Sequence, residues 1–246
     1  MIKKLLLLLV FILTLDAKST LTELRFESGI SLFGQIGFVD LRLEENFEDK
    51  TYKMTAKTTS IGIVKTLSSN RVDLYTSVGK VLNGVYRPLR FTIQITKTDY
   101  KKVIEYYFDY ENDSVVKIKT KSRNESIFTY DIHTNSFKSI NNLVTTTNRK
   151  EVKLFPNDYL SLYLNLQKGN LKVGRILYVD RNKKNDLFLL SSNLFEVHKN
   201  NGDDVYNIQM QNDEKSIFFK KIVSVGIAFY GDAYIEKISE TTRTIK

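Results

Sequence analysis

The two histidines of the sequence, His133 and His198, each follow an acid by two residues, in Asp131-Ile132-His133 and Glu196-Val197-His198. On an extended strand residues i and i+2 share a face, so each pair presents an imidazole and a carboxylate together. Two such pairs brought together would offer nitrogen and oxygen ligands to zinc or copper. The competing reading, a solvated His–carboxylate neighbour pair, prevails: no third histidine and no cysteine exists to complete a shell. No metal or other cofactor is therefore expected. Serines are plentiful, but none sits in a Gly-x-Ser-x-Gly elbow. Glu44-Glu45, Glu105, Asp109 and Asp203-Asp204 could supply a carboxylate pair for glycoside chemistry. Adjacency in sequence, however, does not set the separation that such chemistry requires. The expectation is a protein that is not an enzyme.

A second constellation is cationic. Lys117, Lys119, Lys121 and Arg123 recur at every second residue, with Val116, Ile118, Thr120 and Ser122 between them. On a strand the four cations form a row on one face. One reading is a solubilising outer face or a guarded edge strand, where lysine discourages further pairing. The other is a contact for an anionic polymer or lipid headgroup. The solubilising reading is preferred, because charge runs are usually solvated. The nearby aromatics Tyr106, Tyr107, Phe108 and Tyr110 would suit base stacking, but they suit a sheet core better, and no nucleic-acid partner is expected.

Residues of these types need strands to present them, and period-two patterning runs through most of the chain. Leu24, Phe26 and Ser28 alternate with Arg25 and Glu27, and Tyr206, Ile208 and Met210 alternate with Asn207, Gln209 and Gln211. The pattern predicts strands near 21–31, 35–46, 51–59, 70–79, 87–98, 101–110, 113–122, 125–132, 173–180, 186–192, 204–212, 215–223 and 225–238. Ser60 to Leu67 predicts a single helical turn between strands. Residues 156–168 predict the one substantial helix, with Pro156 and Asp158 near its start, Leu160, Tyr163 and Leu164 at i, i+3, i+4, and Gly169 at its end. The polar stretch Asn135 to Arg149 predicts a loop or irregular crossing. The predicted class is all-β: a strongly curved antiparallel sheet or partly open barrel with one helix packed on it.

The N-terminus predicts the address. Lys3-Lys4 precede an apolar run from Leu5 to Leu15, followed by small residues at Ala17 and Ser19. As a helix that run spans about 16 Å, roughly half of a ~30 Å hydrocarbon core, so it reads as a cleaved signal rather than an anchor. Cleavage falls after Ser19 or after Ala17. The division is then a signal peptide at 1–19 and a single β-rich domain at 20–246, exported to the periplasm and not membrane-spanning after cleavage. Charges interrupt both faces of several strands, as at Arg87/Arg90 and Lys97/Asp99/Lys101, which argues against an outer-membrane barrel. The absence of cysteine rules out disulfides, thiolate zinc sites and a cysteine-borne lipid anchor. A formal net charge of +9 suits anionic partners, although lysine and asparagine abundance from base composition accounts for it as well.

The order of short motifs resembles a bacterial exported, periplasmic family, domain of unknown function 3108. The resemblance rests on Phe26-Glu27-Ser28-Gly29-Ile30 followed by Gly34-Gln35-Ile36-Gly37, and on the apolar turn within Ala56 to Lys65. It continues through Gly84-Val85-Tyr86-Arg87-Pro88, the helix segment Asn157 to Leu164 including Leu160, and Leu171-Lys172-Val173-Gly174-Arg175. The resemblance implies a β-rich envelope protein and no particular reaction. The functional expectation is a non-enzymatic periplasmic carrier of a hydrophobic or lipid-like ligand, held on the inner face of the curved sheet. The alternative is a module of envelope assembly that binds protein or cell wall through a strand edge or a basic face.

Overall fold

The computed structural model describes residues 19–131, 136–178, 185–199, 205–227 and 231–245. Of the predicted leader, 1–19, residues 1–18 lie outside them, and Ser19 is the first residue of the first strand. Apart from two short helices, the described elements are strands of one fourteen-stranded antiparallel sheet. In chain order these are β1 (Ser19–Ile30), β2 (Gly34–Asn46), β3 (Thr51–Ser60), α1 (Gly62–Leu67), β4 (Val72–Leu82), β5 (Val85–Lys97), β6 (Tyr100–Asp109), β7 (Ser114–Asp131) and β8 (Ser136–Lys153). They continue with α2 (Tyr159–Gln167), β9 (Gly174–Arg175), β10 (Asn185–Ser191), β11 (Leu194–Lys199), β12 (Val205–Gln211), β13 (Lys221–Ile227) and β14 (Gly231–Ile245). The predicted curved, open all-β architecture is the one observed.

The sheet order is β8-β7-β6-β5-β4-β3-β2-β1-β14-β13-β12-β11-β10-β9. Every neighbour is a neighbour in sequence except one pair, β1 and β14. The sheet is thus two meanders, β1–β8 and β9–β14, joined in the interior by the pairing of Ser19 with Ile245 through Ile30 with Ala233. The free edges are β8 and the two-residue β9, and residues 154–173 cross from one to the other carrying α2. Local chemistry sets the hairpins. Asn83 (φ 52°) and Gly84 (φ 79°) form a two-residue turn whose left-handed backbone matches the twist of β4 and β5. At the turn before β7, the Asp109 Oδ1 atom accepts from the backbone N–H groups of Glu111 and Asn112.

Helix α2 has complete caps. Asp158 Oδ1 accepts from Leu160 N and Ser161 N at 2.7 and 2.8 Å, and Ser161 Oγ accepts from Asp158 N at 2.9 Å. At the other end Gly169 (φ 69°) takes the left-handed conformation while Asn170 N donates to Asn165 O. Leu160 and Leu164 join a core with β1–β7, whereas Leu162 and Leu166 join a second with Ile176, Leu189, Phe195, Met210 and Phe219. The helix buries leucines on two sides because the curved sheet reaches it from both wings.

Several predicted boundaries are corrected. The predicted strands 113–122 and 125–132 are one strand, β7. The predicted loop at 135–149 is instead strand β8, paired with β7 from Ser114↔Lys153 to Asp131↔Ser136. Residues 142–151 of β8 are exposed on both faces, so burial imposed no apolar alternation, and the β-branched run Thr145 to Thr147 was the available signal. The predicted strand 173–180 is reduced to β9, β11 was not anticipated, and 212–220 is irregular before β13.

Candidate functional site: an apolar concavity beside a cationic face

Directly paired residues of antiparallel strands share a face, so the registers trace the inner surface strand by strand. Phe26 pairs with Val39, Leu41 with Ala56, Ala56 with Tyr75, Tyr75 with Ile93, and Ile93 with Ile104. These side chains line a concavity of about 500 Å³, closed by Tyr159, Leu160 and Tyr163 of α2 and bordered by Ile222 and Ile235 of the other wing. Small side chains at Ala56 and Thr58 leave room that the helix does not fill. The polar lining residues Arg71 and Lys102 stand near the end of the sheet that carries the β1–β2 turn, α1 and the β5–β6 turn. Arg71 is held there by a two-pronged pair with Asp73, Nε to Oδ1 at 2.7 Å and Nη2 to Oδ2 at 2.6 Å.

Polar side chains fix the helix against the sheet. Ser77 Oγ donates to Asp158 Oδ2 at 2.6 Å and lies 2.9 Å from the Tyr52 hydroxyl, all buried. Burial pushes the Asp158 carboxyl up to about 6, against the hydrogen bonds from Ser77, Ser161 and Leu160 that pull it down. Burial, then Asp158, raise the Tyr52 phenol well above its usual range. With Ser77 0% exposed, this chain of hydroxyls and carboxylate is sealed from any substrate and acts as an anchor. Asn165 is the second anchor: its Oδ1 accepts from Tyr86 N at 2.8 Å and its Nδ2 donates to Tyr86 O at 2.9 Å. Those backbone groups need it because β6 pairs with β5 only from Arg90 onward.

The predicted acid–histidine pairs have different outcomes. Glu196 and His198 contact each other through Oε1 and Nε2 on the outer face of β11, whose inner residues Phe195 and Val197 are buried. The His198 ring packs on Phe188, centroids 4.9 Å apart, with Arg175 paired to Asp186 alongside. His133 and the side chain of Asp131 lie outside the described residues, so convergence of the two pairs has no description. Among the described residues, no group of three or more His, Cys, Asp or Glu is arranged to hold a metal ion. The candidate carboxylates are engaged singly: Glu44 with Arg42, Glu45 with the Tyr86 hydroxyl, Glu105 with Arg90, and Asp109 in its turn. Asp203 and Asp204 lie outside the described residues.

The cationic row occupies the face opposite to the one expected. Lys117 pairs with the buried Tyr106, and its Nζ sits 4.9 Å from that ring's centroid, which puts the row on the inner face. Val115, fully buried, begins the same face, and Lys119, Lys121 and Arg123 continue it. Val116 and Ile118, which alternation would send inward, are on the convex side. Nor is β7 an edge, since β8 covers it.

The positions carrying the family resemblance are structural. A Cβ on Gly29 would lie 2.3 Å from the Tyr234 ring, Ile30 closes β1, and Gly34 opens β2 at φ 69°. Pro88 sits where β5 has no β6 partner, and its carbonyl accepts from the Tyr110 hydroxyl at 2.9 Å. Leu160 is buried core, Val173 is 69% exposed and Gly174 adopts φ 124°.

Fold and site together define an all-β protein whose open sheet is spanned by a helix over an internal apolar hollow. The chain belongs to the family described as protein of unknown function DUF3108, which matches residues 23–153. That match runs from β1 to the end of β8, the wing that supplies most of the hollow's wall and the cationic row; α2 and β9–β14 lie beyond it. No match is found among curated proteins.

Proposed function

We propose that this protein is a non-enzymatic carrier of the periplasm and cell envelope that holds a hydrophobic or lipid-like ligand in the concavity of its sheet. The observation that supports this is the ~500 Å³ apolar hollow between the inner face and α2, a volume within the range of small-molecule sites. The export address rests on the Lys3-Lys4 and Leu5–Leu15 pattern. Sealed Ser77 and singly engaged carboxylates favour carriage over turnover. Native mass spectrometry of protein purified from its own envelope is expected to show a bound hydrophobic adduct. Ala56→Phe, which fills the hollow, is expected to lose it. A bare wild-type mass, or an adduct that survives Ala56→Phe, would overturn the reading.

A second reading, an assembly module, draws on the free edge of β8, an 18-residue strand whose residues 142–151 are exposed. Crosslinking in intact cells separates the two, since a discrete protein adduct through β8 would favour the module.

A further inference from the structure

We infer that the ligand is an anionic amphiphile, its carboxylate or phosphate head held on the cationic inner face of β6 and β7 while its chain fills the concavity. This rests on the carrier reading above and names the ligand class for the same site.

The registers bring charge to the rim of an apolar wall. Ile104, which lines the hollow, pairs directly with Lys119, and Lys102, which also lines it, pairs with Lys121. Paired residues stand about 4.5–5.5 Å apart at Cβ, so these ammonium groups are one side chain away from the chain-binding surface. Lysine lays an apolar stem along such a surface and keeps its charge at the water boundary, which is where an amphiphile's head resides.

Two further features distinguish this face from a solubilising one. Like charges are set directly opposite each other twice, Lys102 against Lys121 and Lys117 against Lys150. Like charges directly opposite each other repel, so positive charge is concentrated on this face even though Lys117 rests over the Tyr106 ring and Lys102 has contacts of its own. Among the described residues, no carboxylate pairs with Lys119, Lys121 or Arg123; the inner-face acid Asp73, two strands from Lys102, is held by Arg71, and Glu125 follows the row along β7. The opposite wall is different. Its lining residues Ile222 and Ile235 are apolar, and Lys237 is already held by Asp213 at 2.7 Å and Glu240 at 2.6 Å. The hollow therefore has one charged side, and a ligand with one charged end has one orientation.

The test uses calorimetric titration of the folded chain with dodecanoate, dodecyl phosphate, uncharged monododecanoylglycerol and inorganic phosphate, each below its micelle concentration. Both anionic amphiphiles are expected to bind about ten-fold or more tightly than the uncharged one at ~0.05 M salt, and the margin should shrink several-fold at ~0.5 M. Lys119→Gln/Lys121→Gln should lose most of the margin with uncharged binding unchanged. Both side chains are at the surface of the inner face, and a melting temperature equal to wild type verifies the fold. Equal affinity for charged and uncharged amphiphiles would overturn the head-group assignment and leave the carrier reading intact. So would a margin that survives the double variant, or inorganic phosphate binding as tightly as dodecyl phosphate. Failure of every amphiphile to bind would overturn both.

Discussion

Asp158 is a fully buried carboxyl that caps a helix and accepts from Ser77, and its proton affinity carries a consequence for stability. Its pKa in the fold is raised from 3.8 to about 6, so the folded state binds the proton more tightly than the unfolded chain. The stabilisation this confers is complete below about pH 3.8 and is lost as pH rises through about 6. Relative to Asp158→Asn, which retains an oxygen for the cap but cannot ionise, the wild-type protein is expected to lose thermal stability between about pH 4 and 7. Parallel melting profiles of the two proteins across that range would refute it. Half of this anchor was legible beforehand. The acid after Pro156 marks a helix start because capping is local, whereas Ser77 lies 81 residues away and only the fold brings it into reach.

At the scale of elements, α2 is also fastened to the sheet through Asn165, a buried polar residue among its leucines. Asn165→Leu keeps approximate size but leaves the buried N–H and C=O of Tyr86 without partners, with an expected loss of about 2–4 kcal/mol in urea unfolding. An unchanged unfolding midpoint would mean that water replaces the amide. The helix itself was readable from Leu160, Tyr163 and Leu164 because its apolar spacing, cap and terminal glycine agree. Strand β8 was not, because its residues 142–151, exposed on both faces, have no inside for their sequence to record. The inversion of the cationic row has the same root. The segment Val115-Val116-Lys117-Ile118 fits either face, and a one-residue choice turns every side chain over. The pairing with Tyr106 and Phe108 decides it, and that pairing is visible only once β6 is in place.

For the whole molecule, the decisive contact is the one between β1 and β14. It joins the two meanders in the interior of the sheet, and its partners are the first and last of the described strands. A chain ending before residue 231 is expected to show no cooperative thermal transition and to aggregate, because both β1 and β13 then present bare interior edges. Retention of a sharp transition would mean that the β1–β8 wing folds alone. A ribosome delivers β1 before β14, so at every length between them the growing polypeptide carries an open seam along β1. Over that interval the seam is open to a stranger's strand, and only the arrival of β14 closes it.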